Sequence, residues 1–256
     1  MPFLHPAPMA FAHRGFSSEG LENTLTAFRA AWDLGFTHLE TDVRATRDGA
    51  LVAFHDERLD RVTDRTGALA ELDFSAVAAA RIGASERVPL FSDLVEELPG
   101  AYVNVDVKSA DAVAPLAALI ERMRLHDRVL VTSFSDTRRR AVLSRLSRPV
   151  ASSSGIESAA VMRLLGAALP EALLRRALGG IGALQVPERF RGLRVPTPGF
   201  VARAHRLGLQ VHVWTVNEPA DMHRLLDAGV DGLLTDRADV LRGVLRARGA
   251  WPPSGR

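Results

Sequence analysis

Cysteine is absent from the 256 residues, which excludes disulfides, thiolate nucleophiles and cysteine-ligated zinc or iron–sulfur sites. No run of eighteen apolar residues occurs, so no segment is expected to span a membrane as a helix. The first residues, Met1-Pro2-Phe3-Leu4-His5, offer neither a basic n-region nor an apolar h-region ahead of His13, and the expected location is cytoplasmic. Lysine is scarce as well: of 32 basic side chains, all but Lys108 are arginine. With one Tyr and one Lys, few groups titrate between neutrality and pH 10. A slight arginine excess therefore lifts the pI to about 9.8 although the net charge is only +2. That pI is no sign of a nucleic-acid partner.

A hydrophobic fraction of 47% with 24% charged residues describes a globular chain with material for a large core, not a disordered one. The length admits either two average domains or one barrel of about 250 residues. The pattern along the chain favours the barrel. Short apolar runs at Met9–His13, His38–Arg44, Tyr102–Lys108, Val129–Ser133, Val150–Ser153, Ala183–Val186, Gln210–Thr215 and Gly232–Thr235 read as eight strands. Between them lie amphipathic stretches such as Thr24–Leu34, Asp111–Met123, Asp136–Leu146, Thr197–Leu207, Pro219–Ala228 and Ala238–Arg248, which read as helices. Strand–helix alternation of this length predicts an α/β fold, a (β/α)8 TIM barrel forming a single domain over residues 1–256, with an open doubly wound sheet as the other option.

The third strand begins at Tyr102, 64 residues after His38, well beyond the other spacings. The extra length predicts a small insertion after strand two, at about 45–90. Asp48-Gly49, flanked by extended residues, reads as a two-residue hairpin turn, which would pair Arg47 with Ala50 and set Asp42 opposite His55. A slip of one residue would turn His55 to the other side.

In such a barrel, chemistry gathers at the C-terminal ends of the strands. There the sequence places His13-Arg14-Gly15, Glu40 and Asp42, Asp106 and Lys108, Ser133, and Thr235-Asp236. Strand alternation puts Glu40 and Asp42 on one face, and likewise Asp106 and Lys108. Three converging carboxylates are costly to bury without a cation. An all-oxygen donor set without Cys calls for a hard one, Mg²⁺ or Ca²⁺. The positive surplus left by such a metal with Arg14 and Lys108 suits an anionic substrate, naturally a phosphate. His13 and His55 can supply a proton acceptor and a donor near neutral pH. The reaction class that fits is metal-assisted phosphoester cleavage.

His13-Arg14-Gly15, Glu22-Asn23-Thr24, Glu40-Thr41-Asp42-Val43, Thr46 with Asp48-Gly49, His55-Asp56, Asp106-Val107-Lys108, Trp214-Thr215-Val216-Asn217 and Thr235-Asp236 occur in this order across nearly the whole chain. Together they make it resemble the glycerophosphodiester phosphodiesterases. The resemblance implies a barrel with a small insertion after strand two, and hydrolysis of glycerophosphodiesters to glycerol 3-phosphate and an alcohol. It further implies His13 and His55 as acid and base, Glu40, Asp42 and Asp106 as ligands of a divalent metal, and Arg14 and Lys108 as phosphate contacts. Which histidine is acid and which base stays open, as does whether water or a neighbouring glycerol hydroxyl attacks.

Two positions depart from the family's pattern. Asp106 stands where the family usually has Glu, a retreat of about 1.5 Å that either the backbone or a water must make good. Leu21 precedes Glu22-Asn23 where Pro is common, and Asn23 is expected to cap the following helix.

Trp214 shares a strand face with His212 and reads as an apolar wall for the glycerol or the leaving alcohol. His212, two residues deeper, reads as a hydrogen-bonded core histidine. Arg138-Arg139-Arg140 reads as a solvated helix face. The partner expected is a small-molecule phosphodiester. Two other readings are a phospholipase D-like barrel acting on lysophospholipids, whose secreted relatives rely on disulfides that this chain cannot form, and a non-catalytic phosphodiester-binding barrel.

Overall fold

Strand β1 (Met9–His13) pairs in parallel with both β2 (His38–Ala45) and β8 (Gly232–Thr235). From β2 the ladder continues through β3 (Tyr102–Val107) and β4 (Val129–Thr132) to β5 (Ala151–Ser152). From β8 it continues through β7 (Gln210–Trp214) to β6 (Ala183–Pro187). A parallel bridge from Ser153 to Ala183 joins the two ends and closes the circuit. This computed structural model describes residues 2–251 apart from 7, 84 and 167. All eight expected strands form, and their closure decides for the barrel over the open sheet.

Strand alternation sorts the chemistry. In β3, Val103, Val105 and Val107 are buried outward among the helices, while Asn104 and Asp106 come from the opposite face. β2 does the same, with Leu39 and Val43 packed outward and His38, Glu40 and Asp42 turned inward. Inside the barrel lie Met9, Phe11, Leu130, Ala151 and Leu234, with Phe3 folded in beside them. The Phe3 ring sits 6.3 Å from Phe11 and 5.3 Å from His38, filling the end opposite the active face. His212 is fully buried against Gln210 and Gln185, as expected of a core histidine.

Side chains at helix starts hold the surrounding helices in place. Thr24 accepts the Ala27 N–H at the start of Leu25–Asp33, Ser135 caps Asp136–Leu143, and Thr197 caps Pro198–Arg206. Thr24 is thus the cap expected of Asn23, whose left-handed backbone (φ 59°) turns its amide elsewhere. The arginine run is likewise not a solvated face. Arg139 is buried on Asp136 at 3.0 Å, and Arg138 donates to the carbonyls of Val107 and Lys108 at 2.7 Å each. Arg138 ties the helix to the end of β3, whereas Arg139 braces Asp136 of its own helix and reaches Ser152 of β5, so three consecutive arginines here are not interchangeable.

Residues of the insertion build a second small core from Val52, Phe54, Leu59, Leu69, Val77, Ala80, Ile82 and Val88. Its first strand, Leu51–Ala53, runs antiparallel to β2, but the register differs by one residue from the expected one: Ala45 faces Leu51 and Arg44 faces Val52. Thr46 N–H donates to Ala50, closing a three-residue loop in which Gly49 adopts φ 82°. A left-handed glycine accommodates this extra loop residue, as in a bulged hairpin. Asp42 is consequently opposite Phe54 rather than His55, its carbonyl accepting the Phe54 N–H at 2.9 Å. His55 reaches the active face all the same. It lies beyond the end of the strand, where loop geometry and not alternation aims it.

Candidate active site

At the C-terminal ends of the strands is a cavity of about 200 Å³ lined by His13, Arg14, Glu40, Asp42, His55, Asp106, Lys108 and Trp214. All eight side chains singled out from the sequence therefore reach one opening. Phe134, Ile156, Ala159 and Pro187 complete an apolar wall with Trp214, whose ring is 5.5 Å from that of Phe134.

Each histidine is held by a carboxylate. His13 Nδ1 donates to Asp236 Oδ1 at 2.6 Å, and His55 Nδ1 donates to Asp56 Oδ1 at 2.6 Å. Asp236 is steadied in turn by Asn217, whose amide donates to Oδ2 at 2.9 Å, and Asp56 by Arg61. Bonding at Nδ1 selects the tautomer and leaves Nε2 of each ring for the cavity. Burial alone would lower the His13 pKa, but Glu40, whose Oε2 lies 3.7 Å from Nε2, and the bond to Asp236 more than offset it and raise the value. The Arg61 hydrogen bond is the main reason Asp56 falls to about 2.

The three acids differ in environment. Asp42 is surrounded by cations and donors: Lys108 Nζ at 2.9 Å, Arg14 Nε at 3.0 Å and the Asn23 amide at 3.0 Å. Burial would raise its pKa, but Lys108, Arg14 and His55 outweigh burial and hold it low. Glu40 is buried beside Asp42 and, among the described residues, accepts only the Arg14 backbone N–H at 3.1 Å, so desolvation and the Asp42 charge push it up to about 7. Asp106 is raised by burial despite Lys108 Nζ at 2.7 Å from its Oδ2, while its Oδ1 is buried with no hydrogen-bond partner among the described residues.

Arg14 and Lys108, expected at a phosphate, are thus engaged with carboxylates: Arg14 with Asp42 and Glu22, Lys108 with Asp42 and Asp106. Among the described residues no three His, Asp or Glu side chains close tightly enough to enclose a metal ion. The reason is visible in the Lys108 ammonium, which bridges Asp42 and Asp106. The donor chemistry nonetheless fits a hard cation. All three acids line one opening, one buried oxygen lacks a partner, and the raised Glu40 marks a place short of positive charge.

Backbone geometry explains the His13-Arg14-Gly15 sequence. Arg14 has φ 56° and Gly15 φ 86°, and a Cβ on Gly15 would come within 2.7 Å of the Ala27 carbonyl carbon. Only glycine lets the chain turn there against the first helix.

Several contacts at this cavity escape sequence reasoning. Asn23 had a signal, its place in the Glu22-Asn23-Thr24 triplet, but a cap was the simpler reading. Asp236 was visible as a polar strand end, without any indication that it faced His13. Phe134 and Ile156, just past β4 and β5, are apolar residues where a solvated loop would be polar, and that was their only mark.

A model of the glycerophosphoryl diester phosphodiesterase family matches residues 13–240. The chain is 46% identical over 248 residues to "Probable glycerophosphodiester phosphodiesterase 2" of Mycobacterium tuberculosis, covering 96% of this chain and 94% of that one. Among solved structures, a glycerophosphodiester phosphodiesterase from Agrobacterium tumefaciens superposes with a TM-score of 0.75 at 25% identity, over 93% of this chain and 99% of the other. An Oleispira antarctica phosphodiesterase in complex with the product sn-glycerol-3-phosphate shares the fold with a TM-score of 0.78 at 21% identity, over 94% and 97%. With its motifs in order, its barrel closed and its polar strand ends around one cavity, this chain belongs to the glycerophosphoryl diester phosphodiesterase family.

Proposed function

We propose that the chain hydrolyses glycerophosphodiesters to sn-glycerol 3-phosphate and an alcohol, with His13 and His55 exchanging protons across the cavity. The observation that carries this reading is the pair of histidines, each fixed at Nδ1 by its own aspartate, facing one opening with three acids and two cations. One imidazole takes the proton of the attacking hydroxyl, that of water or that on the neighbouring glycerol carbon. The other gives a proton to the departing alkoxide. Where the glycerol hydroxyl attacks, the diester closes to a cyclic glycerol phosphate, which water then opens to sn-glycerol 3-phosphate with the two imidazoles exchanging roles. Their aspartates keep both rings in the productive tautomer, and Asp236 further favours the charged form of His13.

Glu40, Asp42 and Asp106 would hold Mg²⁺ or Ca²⁺, which when bound neutralises charge on the phosphodiester. Arg14 then positions the anion from the side of Asp42, and Lys108, displaced from between its two aspartates, turns its ammonium toward the phosphate. Trp214, Phe134 and Ile156 exclude water on the opposite wall and hold the carbon skeleton of the substrate. That wall also favours an amphiphilic substrate, a lysophospholipid cleaved on the headgroup side, as a second reading.

Product analysis separates the possibilities. Purified protein incubated with glycerophosphocholine, -ethanolamine, -glycerol and -inositol, and with lysophosphatidylcholine, should release sn-glycerol 3-phosphate from at least one diester. His13→Ala and His55→Ala should abolish that release. Turnover of none of them with Mg²⁺, Ca²⁺ or Mn²⁺ would leave a binding barrel in its place.

A further inference from the structure

After β6 the chain makes a short hairpin in which Arg189–Phe190 pairs antiparallel with Leu193–Arg194 across an Arg191-Gly192 turn. Register places Phe190 opposite Leu193, so the two share a face, and Arg189 opposite Arg194 on the other. Phe190 is 60% exposed and Leu193 67%. Residues 189–194 contain three arginines and no acid. Arg191 lies over the Phe190 ring at 5.5 Å, and among the described residues neither Arg191 nor Arg194 has a carboxylate partner.

The hairpin stands at the active face. It continues from Pro187, which lines the cavity, and is anchored by Glu188, whose N–H donates to Trp214 and whose carbonyl receives the Val195 N–H. Past the two preceding strands lie Phe134, in the loop after β4 and 47% exposed, and Ile156, the first residue of the helix Ile156–Leu165 after β5 and 59% exposed, both on the cavity wall. Three neighbouring sectors of one rim thus present apolar side chains to solvent beside the opening. Isolated exposed apolar residues need no explanation, but four of them on one rim, with unpaired arginines interleaved, form the pattern of a surface that meets a lipid interface.

We propose that this hairpin and rim seat the enzyme on an anionic phospholipid surface, with Phe190 and Leu193 entering the headgroup layer and the arginines meeting lipid phosphates. The choice of occupant follows from charge: each arginine near an anionic bilayer strengthens binding about fivefold, and the apolar pair adds a contribution that a soluble polyanion would not reward. The inference rests on the phosphodiesterase reading insofar as a substrate derived from glycerolipids gives the cavity reason to face a membrane.

Vesicle sedimentation tests it, with phosphatidylglycerol–phosphatidylcholine vesicles against phosphatidylcholine alone. Wild-type protein should bind the anionic vesicles at least about tenfold more tightly. The Phe190→Ser, Leu193→Ser double variant should lose about tenfold or more of that affinity, and Arg191→Gln with Arg194→Gln should lose the preference for anionic lipid. Both variants should retain wild-type turnover of whichever soluble glycerophosphodiester the wild type cleaves, and the wild-type circular dichroism and melting temperature, which shows that they fold. Absence of wild-type binding to either vesicle, or unchanged binding by the variants, would overturn the proposal. So would a concentration-dependent dimer abolished by the serine variant without any vesicle binding, since the patch would then belong to a second copy. Hairpin-dependent vesicle binding by a protein that turns over no glycerophosphodiester would leave the docking intact and remove the phosphodiesterase reading instead.

Discussion

His13 Nδ1 lies 2.6 Å from Asp236 Oδ1, joining the first strand of the barrel to the residue just past the last. The bond crosses 223 positions of sequence, so it exists only when the last strand has paired with the first. Chemistry and closure are therefore coupled at this point.

Asp236→Asn keeps the shape but removes the charge, and the amide can present its N–H to Nδ1, favouring the wrong tautomer. A fall in kcat of about 10²-fold is expected, with KM nearly unchanged and an unaltered melting temperature. Steady-state kinetics beside circular dichroism checks it; a variant with wild-type kcat would reduce Asp236 to a structural contact.

Lys108→Met leaves Asp42 and Asp106 facing each other without the ammonium that bridges them. The metal-free variant should lose about 3 kcal/mol of stability. Millimolar Mg²⁺ or Ca²⁺ should restore more of that loss than it adds to wild type, because the cation takes the place of the lysine. Thermal unfolding in chelator and in each metal gives the comparison.

Stability of the metal-free protein should pass through a maximum near pH 6.5. Burial holds His38 and His212 down at about 3, so they stay neutral in the fold while the unfolded chain takes up protons below 6.5, and stability there is lost as the pH is lowered. Glu40, raised to about 7 by burial and Asp42, works the opposite way from 4.5 upward, as does the raised His13 above 6.5. On the acid side three lowered histidines, His5, His38 and His212, outweigh two raised carboxyls, Glu40 and Asp106, and none of these histidines opposes the loss on the other. Melting temperatures in chelator from pH 5 to 9 would contradict this if they rose throughout.

Gly15→Ala meets the Ala27 backbone at 2.7 Å and forces a side chain onto φ 86°. Destabilisation by about 2 kcal/mol is expected in denaturant titration, with reduced kcat because His13 and Arg14 belong to the same turn.

Much of this was legible in the sequence, and for identifiable reasons. In β3, valines at every second position and polar residues between them declare both the strand and its two faces. Glu40 and Asp42 were readable as site residues because two acids on one inward face have no structural use. The hairpin register was not readable, since Asp48-Gly49 serves a two- or a three-residue loop and only Thr46 decides. Nor was the burial of Arg139 on Asp136, which depends on how the helix rotates against β3. Strand alternation foretold that Lys108 faces the cavity but not that it bridges two aspartates, because alternation fixes a face and not the reach of a flexible side chain.

The most direct measurement is kcat/KM for a glycerophosphodiester with metal-stripped wild-type and Glu40→Gln protein across titrations of Mg²⁺, Ca²⁺ and Mn²⁺. Wild-type activity should be negligible in chelator and return saturably with at least one cation, while Glu40→Gln should remain lower by about 10²-fold or more at every concentration. A Glu40→Gln protein that matched wild type, with both active in chelator, would contradict the account of three acids gathered around a cation.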